Sequence, residues 1–263
     1  MSAKRIRPER AGHDFMERTR YKYAAPSDQR KGMPQPPLQT PYSGAPIDLP
    51  APDTIATRDV DLRAAIEGRT SVRSYAEEPL TLAELSFLLW CTQGVKSVRD
   101  SYATLRTVPS AGARHAFETF LLINRVEGLE PGLYRFLALE HKLGVVNLDP
   151  DIAEGITQAC WNQRFVLTSA VTFVWVAVPY RMTWRYGQRG YRYLHLDAGH
   201  VCQNLYLSAA AVGSGVCAIA AFSDEEMNRL LGLDRDPQVL GDGSADQGDP
   251  FAIYVAAVGK LPE

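Results

Sequence analysis

Gly68-Arg-Thr-Ser-Val-Arg-Ser-Tyr75 is the stretch on which the reading of this chain turns. Ahead of it, Val60, Leu62, Ala65 and Ile66 recur at helical spacing, and Gly68 stands where a helix would stop. If the chain then runs extended, side chains two apart face the same way. Arg69, Ser71 and Arg73 share one side, and Thr70, Val72 and Ser74 share the other. Two guanidiniums and a hydroxyl on one edge suit a phosphorylated ligand, because Arg pairs bidentately with phosphate oxygens. A solvated edge strand would carry the same pattern. At about 3.3 Å per residue, four residues put Arg73 roughly 13 Å beyond Arg69. Far downstream, Pro109-Ser-Ala-Gly112 answers this stretch with a run of small residues, which by itself is also an ordinary turn.

The 263 residues suffice for one large domain or two small ones. With 46% hydrophobic and 22% charged residues, the composition is that of an ordinary globular protein. A net charge of −2 gives no reason to expect a nucleic-acid partner. Basic residues do gather at 4–10, read as solvated, and at 181–192. Cys91, Cys160, Cys202 and Cys217 show neither a Cys-x-x-Cys pair nor metal spacing with histidine, so no metal is expected. Reduced thiols, a polar N-terminus and the lack of a span-length apolar run point to a cytoplasmic protein without a membrane partner.

Residues 1–54 form a separate zone, with prolines at 26, 34, 36, 37, 41, 46, 50 and 52. That density argues against regular helix and for extended chain. Tyr21, Tyr23, Met33 and Leu38 could anchor it as an ordered arm. Residues 55–263 read as one domain. Thr81-Leu-Ala-Glu84 is a capping box opening a helix striped by Leu82, Leu85, Leu88 and Leu89. Thr119–Asn124 and Leu133–Leu139 read as strands, Ile152–Phe165 as a helix, and Ala170–Val178 as a strand buried on both faces. Asp197–Val212 reads as a helix with few exposed positions, placed in the core or at a subunit contact. Gly213 opens a strand that continues to Ala221. Ser223 caps a helix ending at Gly232, residues 234–249 read as a mobile loop, and Phe251–Val258 is the last strand.

In order along residues 55–261, five segments resemble the nitroreductase family. They are Gly68–Tyr75, Glu78-Pro-Leu-Thr-Leu-Ala-Glu-Leu85 with Leu88-Leu-Trp-Cys-Thr-Gln-Gly94, Pro109-Ser-Ala-Gly-Ala-Arg-His115 with Pro131-Gly-Leu-Tyr134, Leu196–Leu205, and Val258-Gly-Lys260. The third narrows the resemblance to the SagB-type dehydrogenase branch. The resemblance implies an α+β fold, a central mixed, mostly antiparallel sheet flanked by helices, in a homodimer with two FMN molecules at the interface. It implies that Arg69 and Ser71, with Thr70 beside them, hold the phosphate and ribityl groups, and that Arg73 meets the pyrimidine edge. Pro109, Ser110, Ala111 and Gly112 would approach the flavin across the interface, their small side chains letting the backbone come close. Cys217, Ala218, Ile219 and Ala220 would offer backbone amides, and Gln93 a side-chain amide. Lys260, otherwise unexplained, is a second candidate for the phosphate.

No Gly-x-Gly-x-x-Gly follows a strand, so NAD(P)H, if used, would stack transiently on the flavin. In family members that oxidise azoline rings in peptides, a Lys-Tyr pair precedes the long helix. Here Arg192-Tyr193 stands there as the candidate catalytic pair, and an Arg stays protonated where a buried Lys could act as a base. Three readings follow: a reductase of small molecules fed by NAD(P)H, a ring dehydrogenase returning electrons to oxygen, or a flavin-binding structural partner in a biosynthetic complex.

Overall fold

The computed structural model describes residues 8–100, 102–233 and 248–262. In chain order the strands are β1 (Ile47–Asp48), β2 (Val95–Arg99), β3 (Ala103–Arg106), β4 (Phe117–Ile123), β5 (Gly132–Leu137), β6 (Lys142–Asn147), β7 (Val171–Ala177), β8 (Ser214–Ile219) and β9 (Phe251–Lys260). The α-helices are α1 (Ala11–Arg18), α2 (Leu62–Gly68), α3 (Leu82–Gln93), α4 (Ile152–Ala159), α5 (Phe165–Thr168), α6 (Pro179–Tyr186), α7 (Gly190–Ala211) and α8 (Asp224–Leu230).

Seven strands form one sheet in the order β1-β6-β5-β4-β7-β9-β8, with every ladder antiparallel. Among the described residues, parallel pairing is limited to two isolated bridges, Ser71 with Val216 and Leu80 with Val126. The central strands are apolar on both faces because both faces are covered. Along β7, Phe173 and Trp175 face the side of α3 and α7, while Val174 and Val176 face α4 and α8. Fully burying each such side chain stabilises the fold by about 1.5–3 kcal/mol. β2 and β3 pair separately as a small hairpin.

The cap of α3 is as the sequence indicates: the Thr81 hydroxyl accepts the Glu84 N–H, and the Glu84 carboxylate accepts the Thr81 N–H. Three boundaries differ. The helix expected over Ile152–Phe165 stops at Ala159, because Trp161 and Asn162 take left-handed backbone at φ 55° and 56°; α5 is a separate turn. The long helix begins at Gly190, seven residues before Asp197, so Arg192 and Tyr193 lie within α7 and not before it. The prolines at 26–52 do keep α-helix out of their stretch, but α1 forms ahead of them. Residues 234–247 of the expected loop lie outside the described residues.

From Ser27 to Asp48 the chain is tied to the rest at several points. Gln29 N–H donates to the Trp184 carbonyl at 2.8 Å, and Trp184 Nε1 donates to the Met33 carbonyl at 3.0 Å. Thr40 N–H donates to Glu118 at 2.7 Å, and β1 extends the sheet beside β6. All four cysteines are free thiols, three of them buried.

Candidate functional site

At its outer edge, β8 meets the chain that follows α2. Ser71 forms the parallel bridge to Val216, and Val72 N–H donates to the Val216 carbonyl at 2.9 Å. The chain past Gly68 is therefore extended. Arg69, Thr70, Ser71 and Arg73 are all exposed. Arg69 lays its guanidinium over the Tyr206 ring, 5.4 Å from its centre. Ser71 Oγ lies 3.1 Å from Tyr206 Oη, which also accepts the Ala218 N–H at 2.9 Å. Tyr206 of α7 thus joins both sides of this edge, and sequence reasoning missed it. Arg73 folds back to donate to the Ser71 carbonyl at 3.4 Å. Burial pushes the Cys217 thiol up, and the nearby Arg73 charge opposes it. Among the described residues, neither Arg69 nor Arg73 has a carboxylate partner.

Strand alternation corrects part of the expected amide row. Val216 and Ala218 turn their backbone groups outward, to Val72 and Tyr206, so Cys217 and Ile219 turn theirs toward β9. The Cys217 and Ile219 side chains lie in the core with α4 and α8. Ala218 and the exposed Ala220 remain on the open edge. Lys260, the second candidate for the phosphate, is engaged internally. Its Nζ donates to the Glu84 carboxylate and, at 2.9 Å, to the Val212 carbonyl, so it ties β9 to the cap of α3. Gln93 is buried, accepts from Arg106 at 2.7 Å, and leaves its Nε2 without a partner.

The Pro109–Gly112 loop is held from α7 by a second missed residue, Asp197. Ser110 Oγ donates to Asp197 at 2.6 Å and accepts the His115 N–H at 2.9 Å, and Ala111 N–H lies 3.3 Å from both carboxylate oxygens. Burial pushes the Asp197 carboxyl up, and the hydrogen bonds from Ser110 and Ala111 hold it down. Gly112 adopts φ 60°, and Pro109 and Gly112 are exposed.

The edge and the loop do not meet within one chain. Tyr206 and Asp197 are nine residues apart on α7, about 13.5 Å along the axis and roughly 180° around it. The two halves therefore sit on opposite faces of one helix.

Arg192 and Tyr193 also separate. Arg192 donates to Thr19 Oγ1 at 2.6 Å and to the Met16 carbonyl, anchoring α1. The expected catalytic pair thus divides between two sets of partners. Tyr193 Oη accepts from Arg189 Nε at 3.0 Å and lies 3.0 Å from Tyr21 Oη. Burial and the Tyr21 contact push the Tyr193 phenol up, against the pull of Arg189. Among the described residues no group of three His, Cys, Asp or Glu side chains could hold a metal, and no helix is long and apolar enough to cross a membrane.

The model of the nitroreductase family matches residues 66–241. The chain belongs to the nitroreductase family. The nitroreductase-type protein MJ1384 of Methanocaldococcus jannaschii is 36% identical over 195 residues, which are 74% of this chain and 93% of that one. The trifolitoxin-processing protein TfxB of Rhizobium leguminosarum bv. trifolii is 26% identical over 167 residues, 59% of this chain and 44% of that one. Among solved structures, a nitroreductase-type protein of Anabaena variabilis superposes with a TM-score of 0.61 at 28% identity, covering 77% of this chain. This chain spans only 38% of that structure. A chain of the Escherichia coli microcin synthetase McbBCD complex has the same fold, with a TM-score of 0.57 at 18% identity over 98% of this chain and 95% of that one. The α+β fold with its antiparallel sheet between helices is that of the family.

Proposed function

We propose that this nitroreductase-family protein is an FMN-dependent oxidoreductase of the SagB-type kind, a cytoplasmic homodimer passing hydride between NAD(P)H and a small-molecule or peptide substrate. The observation that carries the reading is the exposed Arg69–Ser71–Arg73 edge, seated on Tyr206 and lacking a carboxylate partner. Exposed guanidiniums with an aligned hydroxyl fit the phosphate and ribityl oxygens of FMN. The two half-sites on opposite faces of α7 support a homodimer, since the loop of one chain can serve only the edge of another. The exposed positions Leu196, Gly199, His200 and Gln203 line one stripe of α7 where a second copy could pack.

When bound, FMN supplies a carrier for two electrons and a proton. Arg69 and Ser71 fix the phosphate end. Arg73 places a cation farther along, where negative charge on the pyrimidine edge is favoured. Asp197 holds Ser110 and Ala111 so that Pro109–Gly112 presents a close, fixed backbone and excludes water. Tyr193 keeps its proton at Oη, between Arg189 and Tyr21.

Heating the purified protein and weighing the released ligand should give FMN; FAD, or no flavin after reconstitution, would overturn the assignment. Anaerobic mixing with NADH and with NADPH should bleach the yellow colour. A second reading, oxidation of an azoline-type ring with return of electrons to oxygen, draws on the likeness to TfxB and to nearly the whole microcin synthetase chain. Arg192 in place of Lys, fastened to α1, weighs against it. Bleaching by a ring substrate but by neither nicotinamide would favour this second reading.

A further inference from the structure

We propose that the cavity between the N-terminal segment and the α6–α7 junction is the substrate pocket, and that it takes a flat ring bearing a carboxylate. The proposal rests on the oxidoreductase reading above and names its substrate class. The cavity holds about 550 Å³, and its walls include Tyr21 and Arg30 on one side and Arg185, Tyr186 and Arg189 on the other. That volume is in the usual range for small-molecule sites, about 300–1,000 Å³.

Charge is the first argument. Three guanidiniums line the cavity, and no carboxylate does among the described residues. Among the described residues, Arg185 has only the Tyr102 hydroxyl at 3.4 Å and the Tyr186 ring at 5.7 Å. Arg189 has the Tyr193 hydroxyl, the Thr19 carbonyl at 2.9 Å and two tyrosine rings, with Tyr21 at 4.0 Å. Arg30 has no hydrogen bond or ion pair among the described residues. The nearby acids are engaged elsewhere, Glu17 with Arg20 and Lys22, and Asp28 with Lys31. Like charges gathered without a counterion repel one another, and a bound anion relieves that cost. A guanidinium fork matches a carboxylate geometrically.

Shape is the second argument. Tyr21 is 68% exposed, and the Tyr186 ring meets Tyr193 edge-on at 4.9 Å. Tyrosine faces beside guanidiniums favour a planar ligand. Location is the third. A Cβ at Gly112 would collide with Tyr186 Oη and lie 2.9 Å from Arg185 Nε. The pocket wall is therefore in contact with the loop that, in the proposed dimer, faces the cofactor.

The test uses the purified protein after incubation with excess FMN and removal of the unbound flavin. Calorimetric titration compares 4-nitrobenzoate with neutral 4-nitrobenzamide, and acetyl-Ala-Ala-(4-nitro)Phe as free acid and as amide. We expect at least one acid to bind about tenfold or more tightly than its amide at low salt. Which acid does so tells whether the carboxylate is free or at a chain end. Arg185→Gln with Arg189→Gln should reduce the preference to within about twofold, and Arg30→Gln should lower it partway. Because Arg30 has no hydrogen bond or ion pair among the described residues, that variant keeps the test interpretable if the double variant misfolds. Equal binding of acids and amides, or a preference untouched in Arg30→Gln and the double variant, would overturn the proposal. Visible absorbance of the same samples reports flavin. An acid preference without flavin would leave the anion pocket standing and refute its redox role, whereas flavin without acid preference would do the reverse.

Discussion

Two groups of arginines in this chain carry the same charge and do opposite work. Arg106, Arg135 and Arg181 are buried near Glu118. Arg181 donates to the Glu118 carboxylate at 2.5 Å and to Thr40 Oγ1 at 3.0 Å, and Arg135 donates to the Pro41 carbonyl at 2.7 Å. Arg69 and Arg73 stand at the open sheet edge with a tyrosine ring and a backbone carbonyl for company. Buried guanidiniums far from a carboxylate would be costly, so the first group gathers around Glu118, where Arg135 and Arg181 tie the N-terminal segment to the sheet through Thr40 and Pro41. Exposed guanidiniums lose little by waiting for an outside anion. Partner and burial, not residue type, separate structure from binding.

The largest expected effect breaks the buried group. Glu118→Gln leaves the buried Arg181 without its carboxylate and should cost about 3–5 kcal/mol, lowering Tm by roughly 10 °C in calorimetry. Arg69→Ala should leave Tm nearly unchanged; an equal fall in both variants would erase the contrast.

Acid should act on the same buried region. Burial, then Arg106 and Arg114, press the His115 imidazole down to about 3. Above about 6.5, the ordinary His value, both folded and unfolded states are neutral there. As pH falls from there toward 3, only the unfolded state takes up the proton, so stability declines. Burial pulls the Glu118 carboxyl up, but Arg181, Arg135 and the Thr40 N–H outweigh it and hold it low. Its contribution is full above the unfolded carboxylate value and is lost as pH drops through the folded one. His115→Asn, which suits the left-handed backbone at φ 43°, should flatten the decline between 6.5 and 3 in urea titrations.

At the open edge the effects are smaller and fall on the ligand. Arg69→Ala should weaken FMN by about 1.5–3 kcal/mol, one charge-assisted contact, as read by flavin fluorescence on titration, with Arg69→Lys a partial rescue. Smallest of all, Arg73→Gln should shift the midpoint potential to more negative values in dye-coupled titration while FMN stays bound. An unchanged or raised potential would remove Arg73 from the pyrimidine edge.

What was legible in the sequence was local. The Thr81 cap, the end of α2 at Gly68 and the extended run of Arg69–Arg73 depend on neighbours a few residues away. β6 was missed because a half-exposed strand ending at Asn147 has no clean alternation. The early start of α7 was missed because Tyr191-Arg192-Tyr193 looks like a strand edge, although Leu194, Ala198, Val201 and Leu205 share its buried face. Tyr206 meets Ser71, Asp197 meets Ser110 and Glu118 meets Arg181 across 135, 87 and 63 positions, which no spacing rule reaches. A lone Asp in an apolar helix was the signal that could have flagged Asp197. The internal partner of Lys260 was out of reach for the same reason, since Glu84 lies 176 residues away.

The placement of Tyr206 and Asp197 on opposite faces of α7 has a genetic consequence. In the proposed dimer each site draws its edge from one chain and its loop from the other, so two inactive alleles can complement. One copy carrying Arg69→Ala and another carrying Asp197→Ala, expressed together, form mixed dimers in which one site inherits both defects and the other inherits neither. With random pairing, about a quarter of all sites are whole, and activity should rise toward that level, above what either allele gives alone.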